Sequence, residues 1–433
     1  MTHSKTFCPL PWIHLATRPN GDVRLCCTAN ASGAGMIDEK SVGLVKDNDQ
    51  PFNFAKDSLD TVWNSNAMKT IRLQMLNNEI PRSCTKCFEE ESNGIVSKRQ
   101  WETLVWKERL DLDSIVDKTT ATGELPVEIP YFDLRLGNVC QLKCIMCSPH
   151  DSSSWINDWK LQYPKYKTIE LKQDQGWDKQ YNYTWYSNTS FLESVKGQVK
   201  NLKELYFAGG EPLIIPEHYK ILEFMVASGD AKNCILRYNS NGLELPDRLF
   251  DLWKHFKLVK FNFSIDAYKN KNDYIRYPSK WRDVVSNLHK LDQTGDNVII
   301  NMACAVQLLN VLYLDELAEW KISQRFKKIN LVPFGGGLIG LHLVYLPSYL
   351  NIKVLPRSLK ELAKNRIETF LNTYRDTEFV NSPSGKQRWE GIVKYMMSED
   401  WSSKLPSTIE YLTVSDQTRN TDFRNTFRDL MHL

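Results

Sequence analysis

From about residue 128 onward, short apolar runs alternate with stretches of helical period. The runs Tyr131 to Leu136, Leu205 to Ala208, Cys234 to Tyr238, Leu258 to Ser264, Val298 to Val306 and Ile329 to Phe334 predict six strands. Between them, PEHYKILEFMVASG, PDRLFDLWKHF, WRDVVSNLHKL and YLDELAEWKISQRF have helical length, and several open on Pro or Asp. Strand, helix and strand repeated with right-handed crossovers make a parallel sheet, open or closing toward a barrel.

Polar residues within these strands fall on one parity. In LVKFNFSID, Lys260, Asn262, Ser264 and Asp266 alternate with Val259, Phe261 and Phe263. In YFDLRLG, Asp133 and Arg135 alternate with Phe132, Leu134 and Leu136, and in LRYNSN the polar Arg237, Asn239 and Asn241 share a parity. A strand covered on both faces in a doubly wound sheet is apolar throughout. The alternation therefore predicts a cavity-lining face, and an α/β fold in which residues 128–345 form a partial (β/α)6, TIM-like barrel.

The flanking segments read differently. Residues 1–127 are rich in turn residues (PNGD, ASGAG), followed by the helical pieces SLDTVW and SNAMKTIRLQML, where Met68, Ile71, Arg72 and Met75 share a face. A small cysteine-rich α+β module is expected there. Residues 148–200, with SSSWINDW and WDKQYNYTWY, exceed an ordinary connection and are expected to be an aromatic packing layer, with a lid over the site as the alternative. Residues 346–433 are helical, with LPRSLKELAKNRIETFL and no catalytic signal. GGGLIG lacks the Lys and Ser/Thr of a phosphate loop and is expected to be a flexible turn.

Charge narrows the partners. Lys+Arg number 55 against 52 for Asp+Glu, a net charge of +3, which leaves no footprint for nucleic acid or an anionic membrane. MTHSKTFCPLPW has no basic segment leading into an apolar run, and no window approaches the ~18 apolar residues of a span, so a soluble cytoplasmic protein is expected. In that reducing compartment clustered cysteines serve as metal ligands or redox groups. Of the ten cysteines, only Cys234 and Cys304 stand apart, in apolar runs that suggest buried thiols. Cys304 shares parity with Ile300, Met302 and Val306, away from Asn301.

Cys140, Cys144 and Cys147 are spaced C-x3-C-x2-C directly after the first predicted strand. Thiolates suit zinc and iron–sulfur clusters. A structural zinc wants four ligands, and only His150 is close by, whereas three thiolates on a four-iron cube leave one iron open. These residues resemble the radical S-adenosylmethionine (SAM) superfamily, whose signature is this loop after the first strand of a partial barrel. The resemblance implies a four-iron four-sulfur cluster with SAM at the open iron. An electron from a flavodoxin or ferredoxin then cleaves SAM to methionine and a 5′-deoxyadenosyl radical, which abstracts a substrate hydrogen.

Further residues carry the same resemblance. Gly209, Gly210, Glu211 and Pro212 form the GGEP that in the family approaches the amino group of SAM. Glycines permit close backbone approach, and a carboxylate accepts from an ammonium; a plain strand-to-helix turn is the alternative. Ser264 and Asp266 match positions near the ribose, with Asn239 and Asn241 as neighbours. Arg276 resembles an arginine that pairs with the SAM carboxylate, and Met146 sits where a side chain shields the adenine. The plainer readings are a turn serine, a cap, a surface arginine and a core methionine.

Upstream, Cys8, Gly21 and Cys26, then Cys84 and Cys87, follow the pattern C-x9-15-G-x4-C, gap, C-x2-C. This resembles the twitch module, a shortened relative of the SPASM domain, and implies a second, fully ligated four-iron four-sulfur cluster. Spacing alone leaves zinc open. The module normally follows the barrel but here precedes it, and Cys27 beside Cys26 has no assigned role. The resembling families commonly modify ribosomally made peptides or oxidise small alcohols and sugars. A peptide substrate is expected, with dehydrogenation or epimerisation of a sugar-like molecule as the alternative. A zinc-binding interaction protein is the reading from outside enzymology.

Overall fold

The computed structural model describes residues 4–29, 43–92, 96–173, 182–329, 338–382 and 385–433. Two compact units emerge: Met1–Asn138 with Gln180–Arg237 and His255–Lys257, and Val139–Lys179 with Tyr238–Lys254 and Leu258–Leu433.

The first unit holds β1 (His14–Thr17), β2 (Val23–Arg24), a small hairpin of β3 (Lys46–Asp47) and β4 (Gln50–Pro51), then β5 (Tyr131–Arg135) and β6 (Glu204–Ala208). The order is β2-β1-β5-β6, with β1 antiparallel to β2 and parallel to β5, and β5 parallel to β6. Adding β1 to the edge of β5 is not foreseen by the sequence pattern. HLAT is buried at all four positions and so shows no alternation. PNGD turns β1 into β2 at Gly21, whose φ of +87° and whose Cβ position only 2.7 Å from the Trp185 ring both require glycine. ASGAG lies outside the described residues.

Helices Leu59–Trp63 and Asn66–Leu76 start at Ser58 and Ser65, whose hydroxyls accept from Thr61 N and Met68 N. The predicted inner face is buried at Met68, Arg72 and Met75. Arg72 is fully enclosed and donates to the carbonyls of Pro11, Trp63 and Gly123, and its burial lowers its pKa to about 10.

β7 (Ile235–Ser240) belongs to the first unit through Arg237 and to the second from Tyr238. The second unit continues with β8 (Leu258–Ser264), β9 (Val298–Val306) and β10 (Gly340–Leu343), in the order β7-β8-β9-β10. β8 and β9 match the predicted spans, pair in parallel, and set Asn262 opposite Asn301. Their burial alternates: Val259, Phe261, Phe263, Ile300, Met302 and Cys304 are buried, while Lys260, Asn262, Ser264 and Asn301 are half-buried. The sheet is mostly parallel and the fold mixed α/β, as expected of a partial barrel.

Two strand expectations change. Of the sixth predicted strand only Ile329 is described, in an isolated parallel bridge to Ile300. The end of GGGLIG is not a turn but the start of β10, which pairs with β9 and sets Leu341 opposite Cys304. Glycine suits that start because a Cβ on Gly340 would stand 3.3 Å from Met302 O.

The SSSWINDW segment forms the helix Trp155–Gln162, with Trp155 and Trp159 buried and Trp155 stacked on Tyr411. It is a packing layer, and Tyr411 lies in the C-terminal helix Leu405–Arg419. Part of WDKQYNYTWY lies outside the described residues; Trp185 is buried in the first unit and donates to Pro19 O at 2.8 Å. Among the described residues no helix is long and apolar enough to cross a membrane.

Candidate metal centres

The loop after β5 presents Cys144 buried and Cys140 and Cys147 half-buried. Its backbone is tied down within the second unit. Lys143 N and Ile145 N donate to Tyr277 O and Ile275 O at 2.6 and 2.7 Å. Ser152 and Ser154 hydroxyls donate to Leu142 O and Cys140 O, Trp155 Nε1 donates to Cys144 O at 2.9 Å, and Tyr411 OH donates to Ile145 O at 2.7 Å. With its polar backbone thus satisfied, the loop offers sulfur as its ligand.

Nitrogen donors stand against two of those sulfurs. Asn241 Nδ2 lies 3.9 Å from Cys140 Sγ, and Arg276 Nη1 lies 3.9 Å from Cys144 Sγ. A hydrogen bond from Cys147 lowers the Cys144 pKa, with the Arg276 charge adding to it, while the Cys147 thiol is pushed up. Of these two, Cys144 is the more disposed to be a thiolate, the form in which cysteine binds iron.

Arg276 is not a surface residue. Its side chain is 11% exposed, and Nε forms an ion pair at 2.8 Å with Asp266 Oδ2. Asp266 is fully buried, and Oδ1 accepts from Ala305 N at 2.7 Å. Burial pushes the Asp266 carboxyl up against the pull of Arg276, and Arg276 is in turn held firmly charged by Asp266. Asp266 thus faces Arg276 and β9, an arrangement that the parity of NFSID did not disclose.

The other predicted cofactor residues are placed as follows. Ser264 ends β8 opposite Ala303 and is half-buried, as is Met146. Asn241 is buried and donates to Gln141 Oε1 at 3.1 Å, which ties the chain just past β7 to the cysteine loop. Asn239, two residues earlier, is exposed and accepts from Asn262 Nδ2 at 2.9 Å. GGEP lies in the first unit. Gly209 has φ +112°, and a Cβ on it would stand 3.1 Å from Arg135 Cα; Gly210 N donates to Gly137 O at 3.3 Å. Glu211 is buried, and Oε1 accepts from Leu213 N at 3.1 Å, so it caps the turn Pro212–Ile214.

In the first unit Cys8, Cys26, Cys84 and Cys87 line one pocket, together with Lys98 and Arg99. Burial pushes the Cys8 thiol well up and Cys84 to about 12, and Cys84, Cys26 and Cys87 each add to the Cys8 shift. Four thiols that feel one another around a space, with cations beside them, fit the donor set of an anionic iron–sulfur cluster. Among the described residues no three His, Cys, Asp or Glu side chains converge on one ion. Cys27 is exposed and does not line the cavity, so the geometry nominates Cys26, as the glycine spacing does.

Sequence reasoning missed three contributors. Arg99 and Lys98 start the helix Lys98–Lys107 and reach the auxiliary cavity, and Tyr411 reaches the cysteine loop from 266 residues away. Lys98 and Arg99 end the EEESNGIVSKR stretch, which itself looks like part of the module but assigns neither a role, and Tyr411 sits in no motif. A long-range contact of one side chain leaves no local periodicity to read.

Comparison with known proteins agrees with the chemistry. The Radical SAM superfamily model matches residues 134–305, and the SPASM model, an iron–sulfur cluster-binding domain, matches residues 8–88. No curated protein matches the chain. Among solved structures, native anSMEcpe with bound AdoMet and Cp18Cys peptide is 16% identical, with a TM-score of 0.35; the match covers 56% of this chain and 59% of that one. Streptococcus suis SuiB bound to S-adenosylmethionine is 13% identical, with a TM-score of 0.32, over 72% of this chain and 64% of that one. SuiB bound to precursor peptide SuiA is 13% identical, with a TM-score of 0.32, over 73% and 71%. The chain thus spans less than two thirds of the first two. Residues 134–305 thus match the radical SAM superfamily, and residues 8–88, ahead of them, match an iron–sulfur cluster-binding SPASM domain.

Proposed function

We propose that this enzyme reductively cleaves SAM and uses the product to abstract a hydrogen from a ribosomally made peptide, with a flavodoxin or ferredoxin as electron donor. The observation that carries the reading is the cysteine loop, with its three thiols on a backbone tied at several carbonyls and amides and with N–H donors at two sulfurs. Cys140, Cys144 and Cys147 would hold the SAM-binding cluster, and Cys8, Cys26, Cys84 and Cys87 the auxiliary one. Bound there, the first cluster and SAM supply one-electron cleavage and hydrogen abstraction.

The chain's own part is positioning. Asn241 and Arg276 N–H groups at the sulfurs stabilise negative charge and thereby raise the reduction potential. Burial of Cys144 and Ile145 keeps water from the loop. The peptide class, rather than a sugar-like molecule, is supported by the open, amide-bearing face of β7 to β9.

Anaerobic reconstitution tests the reading. About eight irons per chain, as expected of two four-iron clusters, and 5′-deoxyadenosine released from SAM under dithionite are the expected results. Cys144→Ala should abolish deoxyadenosine and retain roughly half the iron. Zinc in both cysteine groups, with no deoxyadenosine, would sink it. For the substrate, a short peptide encoded beside the gene should change mass on incubation, and an unchanged peptide alongside a converted sugar would select the alternative.

A further inference from the structure

The polar face of the second unit carries a row of three amides that no cofactor expectation covers as a whole. Asn301 Nδ2 on β9 donates to Asn262 Oδ1 on β8 at 3.3 Å, and Asn262 Nδ2 donates to Asn239 Oδ1 on β7 at 2.9 Å. The strand register sets Asn262 directly opposite Asn301. β8 and β9 each have strand neighbours on both sides, yet Asn262 and Asn301 are only half-buried and Asn239 is exposed, so the space above the row is open.

A head-to-tail chain of amides has a property independent of how each amide is turned. Its middle member gives one donor and takes one acceptor, and the row ends with a spare donor on one side and a spare acceptor on the other. Here Asn239 Nδ2 is the donor end and Asn301 Oδ1, enclosed without a donor among the described residues, is the acceptor end. The soft terminal torsion of asparagine lets that oxygen turn toward the face.

The two ends stand two strand spacings apart, about 9.6 Å at 4.8 Å per spacing. Three residues of extended chain span about 10 Å at 3.3 Å each. A main chain offers donors and acceptors alike along that length. A carboxylate or phosphate offers acceptors alone, and a single sugar ring is too short to meet both ends.

The row also has a definite place. On β7 the row lies two residues before Asn241, which follows the strand end and stands against Cys140 Sγ. Asn241 serves the cysteine loop, while Asn239 is tied to its strand neighbours. We propose that Asn239, Asn262 and Asn301 form a recognition row for the main chain of an extended peptide, running across the strands beside the SAM-binding loop; the proposal rests on the peptide reading above.

The test uses anaerobically reconstituted full-length protein and N-acetyl-triglycine amide, a main chain without side chains, followed by ligand-observed saturation-transfer NMR. Binding to wild type is expected, with at least a fivefold loss in Asn262→Leu and a loss in the same direction in Asn301→Ala, which removes the acceptor end without touching β7. SAM affinity should change by less than twofold in both. Equal probe binding in wild type and both variants overturns the proposal. A parallel fall in SAM affinity also overturns it, because the row would then belong to the cofactor, and so does selective binding of methyl glucoside. Absence of SAM cleavage by wild type sinks the proposed function instead, a result read in a separate assay.

Discussion

Replacing Arg276 by Met isolates the Asp266 carboxylate. The pair is buried, with Asp266 fully enclosed, Arg276 11% exposed and 2.8 Å between the charged atoms. Removing one partner of such a pair costs about 3–5 kcal/mol, because the remaining charge is left in a low-dielectric site. For a unit of this size that corresponds to a fall in Tm of roughly 6–20 °C. The Asp266 carboxyl, already pushed up by burial, would rise further once Arg276 is gone. A raised acid pKa favours the protonated folded form, so the variant should lose most stability at neutral pH and regain part of it as the pH falls toward 5. In Arg276→Met/Asp266→Asn the asparagine oxygen still accepts from Ala305 N, and most of the loss should be restored. Anaerobic thermal melts of the four proteins in the cycle measure the coupling, expected to be at least about 2 kcal/mol. A double variant no more stable than Arg276→Met would refute the reasoning. SAM affinity in the double variant gives a second reading: if Arg276 also meets the SAM carboxylate, affinity stays low although stability returns.

Two further outcomes are expected. Tyr411→Phe removes the donor to Ile145 O and should destabilise by about 1–3 kcal/mol, with faster iron loss from the Cys140 loop under chelator and unchanged retention at the auxiliary site; loss at both sites alike would contradict a local tether. His14 is buried against Tyr131, and burial lowers its pKa to about 4. The unfolded chain, titrating near 6.5, therefore takes up the proton first as the pH falls, so this part of the stability is complete above 6.5 and lost toward 4. It amounts to about 2 kcal/mol between pH 7 and 5, and denaturant midpoints of His14→Phe should lack that slope.

The strands were most legible where one face met the core and the other met open space. β8 and β9 alternate residue by residue, and their boundaries follow directly from LVKFNFS and VIINMACAV. The same rule hides β1, because a strand buried at every position looks like any short apolar run, and its partner Tyr131 is more than a hundred residues away. β10 was hidden differently. Its glycine-rich approach advertises a turn, and what makes it a strand is a row of partners on β9, which local propensity does not contain.

The metal centres divide along the same line. A cluster needs its thiolates on short stretches of chain, so Cys140, Cys144 and Cys147 can be read from eight consecutive residues, and Cys84 and Cys87 from four. What tunes and holds those thiolates is recruited from wherever the fold brings a donor. Asn241, Arg276, Trp155 and Tyr411 each reach the loop through one or two side-chain contacts. One such contact constrains one residue type at one position and imposes no spacing. The chemistry of this protein is therefore written locally, and its tuning is written in tertiary structure, which is why the sequence offers Arg276 as a residue for SAM or for the surface and gives no sign of its buried partner Asp266.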